Sequence, residues 1–188
     1  MRFSFFFYFV LFLLNLNHIF ANEKYSEVTI IHENSIFERD KGYIFGIKIN
    51  LKPGWKTYWK NPGDSGSEPQ ILHNSNDIKN IEILYPTPKS FVDSQIETIG
   101  YENEVIFPVY VELQNGVKII NEKLKFNYLI CEKICIPLEE EIFLKINTNY
   151  VSNEELSPLK ITYQNLPDYQ DINFSLVKAF KSAENTYE

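Results

Sequence analysis

Leu124-Lys125-Phe126-Asn127-Tyr128-Leu129-Ile130-Cys131-Glu132-Lys133-Ile134-Cys135-Ile136-Pro137-Leu138 is the stretch that decides the fold. Before the turn, Leu124, Phe126, Tyr128 and Ile130 share one face, while Lys123, Lys125, Asn127, Leu129 and Cys131 share the other. After it, Ile136, Leu138, Ile142, Leu144 and Ile146 fall in the apolar phase, and Cys135 falls with Pro137, Glu139, Glu141 and Lys145. Alternation with a period of two is the mark of a half-buried β-strand. Two such runs flank a three-residue loop, which places the only two cysteines across from each other. Both are expected off the core face, at a rim that another protein can reach.

Further runs of the same kind lie upstream. Val28 to His32 starts a first strand, and Phe45, Ile47 and Ile49 alternate within Tyr43 to Leu51. Ile81, Ile83 and Tyr85 mark a third, and Val105 to Leu113 a fourth. Asn115-Gly116, between Leu113 and Val117, reads as a hairpin turn. Short strands without intervening helical patterns predict an all-β chain, an antiparallel β-sandwich of one domain over residues 22–150. Residues 151–188 read as a polar tail, partly helical or disordered. Ser152-Asn153-Glu154-Glu155 is a cap candidate for a helix running toward Tyr163, with Pro158 as an interruption.

The first residues point outside the cytosol. Arg2 precedes an apolar run from Phe3 to Leu14, and Ile19-Phe20-Ala21 offers a small residue for cleavage. That run is short for a membrane span and fits a signal peptide over residues 1–21, so an exported protein without stable membrane insertion is expected. The chain carries 18 basic and 25 acidic residues, a net charge of −7. Without residues 1–21, which hold Arg2 and no acid, the balance is −8. Nucleic acid selects basic faces and is disfavoured by this balance, so none is expected as a partner.

In an oxidising compartment two cysteines normally join in a disulfide. The loop closed here is so short that its entropic contribution is only about 2 kcal/mol, against roughly 3 for a fifteen-residue loop. That is a weak staple and a plausible redox pair, since labile disulfides tend to be exposed or strained. A structural cross-strand bond remains the alternative. Lys123, Lys125 and Lys133 favour a thiolate nearby, while Glu132 and Glu139 oppose it.

A second segment, Leu51-Lys52-Pro53-Gly54-Trp55-Lys56-Thr57-Tyr58-Trp59-Lys60-Asn61-Pro62-Gly63-Asp64-Ser65-Gly66, combines a Pro-Gly turn, an aromatic stretch and a glycine-rich loop. Taken alone, Trp55, Tyr58 and Trp59 read as core or edge aromatics. Followed by Gly100-Tyr101-Glu102-Asn103-Glu104-Val105-Ile106-Phe107-Pro108-Val109 and then Tyr128 to Pro137, the segment resembles the periplasmic N-terminal domain of DsbD, the bacterial thiol:disulfide interchange protein, in its ScsB-like branch. The resemblance covers about Glu23 to Asn149.

It implies an immunoglobulin-like β-sandwich whose cysteine pair relays electrons without a bound cofactor. Cys135 matches the cysteine that forms a mixed disulfide with a partner, and Cys131 the one that resolves it. Tyr58 matches an aromatic beside the disulfide. Ile96 to Tyr101 falls where a cap loop shields the sulfurs, with Thr98-Ile99-Gly100 in place of the family's Phe-Tyr-Gly, which makes Ile99 and Tyr101 cap candidates. The implied donor is a thioredoxin-like domain or protein fed by a membrane section. The acceptors are periplasmic oxidoreductases or cytochrome c maturation proteins. No multi-helix section or thioredoxin-like domain is recognisable in these 188 residues, so a separate CcdA-type membrane carrier or thioredoxin-like protein is expected to supply electrons.

Two other readings remain. One is a β-sandwich binding or assembly module with a purely structural disulfide. The other is a copper site, because Cys-x3-Cys also occurs in Sco-type proteins. Beyond residue 21 only His32 and His73 could supplement the two thiols, and no methionine could. Zinc, which wants four ligands, faces the same shortage. No metal is expected. Ser65 and Ser67 lack the Gly-x-Ser-x-Gly elbow of a hydrolase, and Gly63-Asp64-Ser65-Gly66 lacks the Lys-Ser/Thr of a phosphate loop.

Overall fold

The structure is a computed structural model that describes residues 24–31, 37–39, 41–149 and 157–167. The expected signal peptide, His32, the cap candidate at Ser152–Glu155 and the end of the tail lie outside the described residues. Eleven strands are described. They are β1 (Ser26–Ile31), β2 (Phe37–Arg39), β3 (Gly42–Leu51), β4 (Lys56–Gly63), β5 (Gln70–Leu72) and β6 (Ile78–Ile83), then β7 (Lys89–Asp93), β8 (Ile96–Glu102), β9 (Glu104–Leu113), β10 (Ile119–Cys131) and β11 (Cys135–Asn147). One helix, α1 (Pro158–Gln164), follows.

The strands form two antiparallel sheets packed face to face as an immunoglobulin-like β-sandwich. One has the order β1-β3-β9-β6, with β2 also on β3; the other has the order β11-β10-β4-β8-β7, with β5 also on β10. The alternation seen in the sequence becomes the filling between them. Phe45, Ile47 and Ile49 lie opposite Val109, Phe107 and Val105 in the first sheet. Leu124, Phe126, Tyr128 and Ile130 of β10 join Ile142, Leu144 and Ile146 of β11 in the second, and all belong to one buried cluster. Trp55 enters the same cluster, its ring 4.3 Å from that of Tyr25.

Two local expectations are corrected. Asn115-Gly116 does not close a hairpin. Gly116 alone has a positive φ of 85°, and the Val117 N–H donates to the Gln114 carbonyl at 3.1 Å. A hairpin of the expected type needs both central residues at positive φ, so this turn instead carries the chain from β9 in one sheet to β10 in the other. A two-residue hairpin is found instead at Ser94-Gln95, with φ of 51° and 73°, joining β7 to β8. Ser157 caps α1 by accepting the Lys160 N–H, and Pro158 occupies the first turn. A proline fits there because that position has no intrahelical N–H bond to lose. Leu159 of this helix is fully buried on the outer side of the first sheet, close to Gly46, where a Cβ would stand 2.9 Å from its Cδ1.

Three tyrosines are held neutral by the sandwich. Burial raises the hydroxyls of Tyr58, Tyr85 and Tyr128 above the usual tyrosine range. Tyr85 donates to the Pro69 carbonyl at 3.1 Å, and Tyr128 shares a 2.8 Å bond with Ser26. A group whose pKa is raised on folding stabilises the fold below its unfolded value and loses that contribution as pH rises. The urea unfolding free energy is therefore expected to decline above about pH 10, by up to about 1.4 kcal/mol per pH unit for each tyrosine. Tyr128→Phe should flatten that decline in the same titration, and an unchanged slope would exclude Tyr128 from it.

Candidate redox site

The β10–β11 hairpin is paired without interruption from Ile119↔Asn147 to Cys131↔Cys135. Its last pair is the disulfide, with Cα atoms 4.1 Å apart. The bond lies on the outer face of its sheet, the face that also carries the Lys125–Glu139 and Lys123–Glu141 ion pairs at 2.7 and 2.6 Å. Those pairs engage two of the lysines that the sequence offers as thiolate neighbours. Lys133 remains in the exposed turn.

The two sulfur residues differ in environment. Cys135 is exposed, whereas Cys131 is only 3% exposed, although strand phase alone would put both in the open. The reason is β4. It pairs with the end of β10 through Ile130↔Thr57 and Cys131↔Lys56, so Cys131 is enclosed between two strands while Cys135 stands on the edge strand. Thr57 pins this contact by donating to the Leu129 carbonyl at 2.9 Å.

Tyr58 shares that outer face. Its Oη lies 4.0 Å from Cys135 Sγ, and with the sulfurs joined only the hydroxyl has a proton to donate. The ring is 2% exposed because the loop after β4 folds over it: a Cβ at Gly66, where φ is 113°, would collide with Tyr58. Glycine is needed there on both counts, positive φ and close approach. The sequence names this glycine-rich loop without linking it to the cysteines.

Ile99 and Tyr101 are not brought to the sulfurs. Residues 96–102 form strand β8, not a loop, with Gly100 opposite Tyr58. Ile99 and Tyr101 flank Gly100 and so take the inner phase. Tyr101 is in the core cluster, donates to the Pro86 carbonyl at 2.9 Å and meets Phe107 edge-on. Thr98 and Gly100, in the alternate phase, share the disulfide's face. Lys56, directly opposite Cys131, donates to Thr98 Oγ1 at 3.0 Å and places its ammonium 5.4 Å from the Phe91 ring centre. The residue reading missed Lys56, because only the pairing of distant strands brings it there.

Among the described residues no three His, Cys, Asp or Glu side chains cluster as metal ligands. Among them, too, no helix is long and apolar enough to cross a membrane.

The sequence pattern of the family "Thiol:disulfide interchange protein DsbD, N-terminal" matches residues 27–147. The chain belongs to this DsbD N-terminal family. No curated protein sequence matches it. The crystal structure of the N-terminal periplasmic domain of ScsB from Proteus mirabilis is similar, with a TM-score of 0.61 at 21% identity. That likeness covers 78% of this chain and 56% of the ScsB domain, so the chain spans little more than half of its length. The reduced DsbD N-terminal domain of Neisseria meningitidis gives a TM-score of 0.39 at 16% identity, over 70% of this chain and 93% of that one. Within this DsbD family member, the site described above occupies the last hairpin of the matched region.

Proposed function

We propose that this DsbD N-terminal family member is a periplasmic thiol:disulfide interchange module that passes electrons through Cys131 and Cys135. The observation that carries the reading is the asymmetry of the bond. One sulfur residue is open to a partner, and the other, across the last pair before the turn, is enclosed. Cys135 is the residue that exchanges with partners, and Cys131 is the resolving cysteine. In the reducing direction the Cys135 thiolate attacks a partner disulfide, whose bond breaks with its electron pair on the partner's other sulfur. Cys131 then attacks Cys135 Sγ, re-forming the internal bond and releasing the partner as a dithiol. Two electrons leave the domain, protons exchange with water, and no cofactor takes part. Tyr58 supplies a neutral hydroxyl beside the exchanging sulfur.

A thioredoxin-like domain or protein, itself fed by a CcdA-type membrane carrier, is the proposed electron donor. Periplasmic oxidoreductases or cytochrome c maturation proteins are the proposed acceptors. Family membership supports the chemistry of these partners. The test is the equilibrium reduction potential of the pair, measured by thiol alkylation of the protein across a glutathione series. A value above about −280 mV, in the range of exchanging proteins, is expected. A value well below about −300 mV would mark a structural disulfide and replace this reading with that of a binding module.

A further inference from the structure

We propose that Lys56 is a positioning residue for the exchange, the cation that stabilises the Cys131 thiolate whenever the disulfide opens. This rests on the interchange reading above and assigns a part in it to a residue outside the cysteine hairpin.

In both directions of exchange the negative charge of the internal step falls on Cys131. When an incoming thiolate attacks Cys135 Sγ, the internal S–S bond breaks and Cys131 leaves with the electron pair. In the reverse sense Cys131 must be ionised to attack Cys135 and expel the partner's sulfur. Yet Cys131 is 3% exposed. Burial in apolar surroundings disfavours a thiolate, and a neighbouring cation restores it.

Lys56 is placed for that work. It lies directly opposite Cys131 in the β4–β10 register, and directly opposed residues project to the same face with Cβ atoms about 5 Å apart. Its partners among the described residues, Thr98 and Phe91, carry no charge. With the sulfurs joined, the ammonium therefore rests on a hydroxyl and a ring. A thiolate at Cys131 is a stronger attraction than either, and the flexible four-carbon stem lets the ammonium turn to it.

The other charged groups around the face are matched or open to water. Glu102, opposite Lys56 on β8, is ion-paired with Lys89 at 2.8 Å. On β11, Glu139 holds Lys125 at 2.7 Å. In the loop after β4, Asp64 accepts the Glu97 N–H at 2.9 Å, and Glu68 is exposed. Lys52, in the turn whose Gly54 lies against Glu132, has its ammonium 5.4 Å from the Tyr25 ring centre. Glu132 and Lys133 are both exposed in the cysteine turn and oppose each other in sign.

The experiment titrates the Cys131 thiolate by its ultraviolet absorbance in Cys135→Ser chains, where it is the only thiol. Lys56→Met keeps the length of the stem and removes the charge. It is expected to raise the midpoint by about one pH unit, a tenfold loss of thiolate at a given pH. Lys56→Arg keeps the charge and is expected to stay within about 0.3 of a unit of the parent. A Lys56→Met shift smaller than that, or an arginine variant that follows the methionine one, overturns the proposal. The titration needs no partner. A pair too reducing to cycle would therefore sink the interchange reading and leave this result standing.

Discussion

With Cys131 replaced by serine, Cys135 is expected to react with oxidised glutathione roughly a hundredfold faster than Cys131 does in the Cys135→Ser chain. Thiol exchange depends on the thiolate fraction and on access to the attacking sulfur. Access separates the two residues, because Cys135 is exposed on the edge strand while Cys131 is 3% exposed between β11 and β4. Both substitutions remove the same bond, and closing so short a loop contributes only about 2 kcal/mol. Thermal midpoints of the two chains, measured alongside, separate a difference in access from a difference in unfolding. The same asymmetry makes Cys131→Ser the variant that accumulates a mixed disulfide with an oxidised thioredoxin-like protein. Equal rates in the two single-thiol chains would show that the hairpin opens when the bond is lost. The assignment of exchanging and resolving roles would then lose its basis.

The cysteine hairpin was legible because its determinants are local. A period of two over long strands and a three-residue connection specify the register, and the register places sulfur opposite sulfur. The enclosure of Cys131 was not legible. It follows from β4 crossing to the far end of β10, and nothing in residues 123–146 encodes which strand will lie alongside. Lys56 and Gly66 were unlinked to the site for the same reason: each meets it only through pairing across a long stretch of chain.

Strand β8 shows the limit from another side. Ile96-Glu97-Thr98-Ile99-Gly100-Tyr101-Glu102 lacks a clean apolar alternation, and a glycine inside it weakens strand propensity. It is a strand because β4 and β7 bond to both its edges. The Asn115-Gly116 turn fails differently. The dipeptide permits a hairpin, but Phe107, Val109 and Val111 of β9 fill the sandwich from the opposite sheet to Leu124 and Phe126 of β10. Burial of those side chains outweighs the local preference.

Gly100→Ala is expected to cost about 3 kcal/mol, measured as the loss in urea unfolding free energy. A Cβ at this position would collide with the Thr57 carbonyl oxygen, a backbone atom that no rotamer change can move aside. Nor can Thr57 retreat, since it is fully buried, paired with Ile130 and bonded through its hydroxyl to the Leu129 carbonyl. The strain must part β4 from β8, along the pairs Thr57↔Tyr101 and Tyr58↔Gly100. Gly116→Ala is the control: its Cβ would meet nothing within 4 Å, so only the positive φ of 85° opposes it, at about 1–2 kcal/mol. Equal costs for the two variants would mean that the β4–β8 spacing relaxes freely. The difference should reach the disulfide as well. Parting β4 from β8 releases the ammonium of Lys56 from Thr98 and frees it toward Cys131, so Gly100→Ala should make the bond easier to reduce, and Gly116→Ala should not.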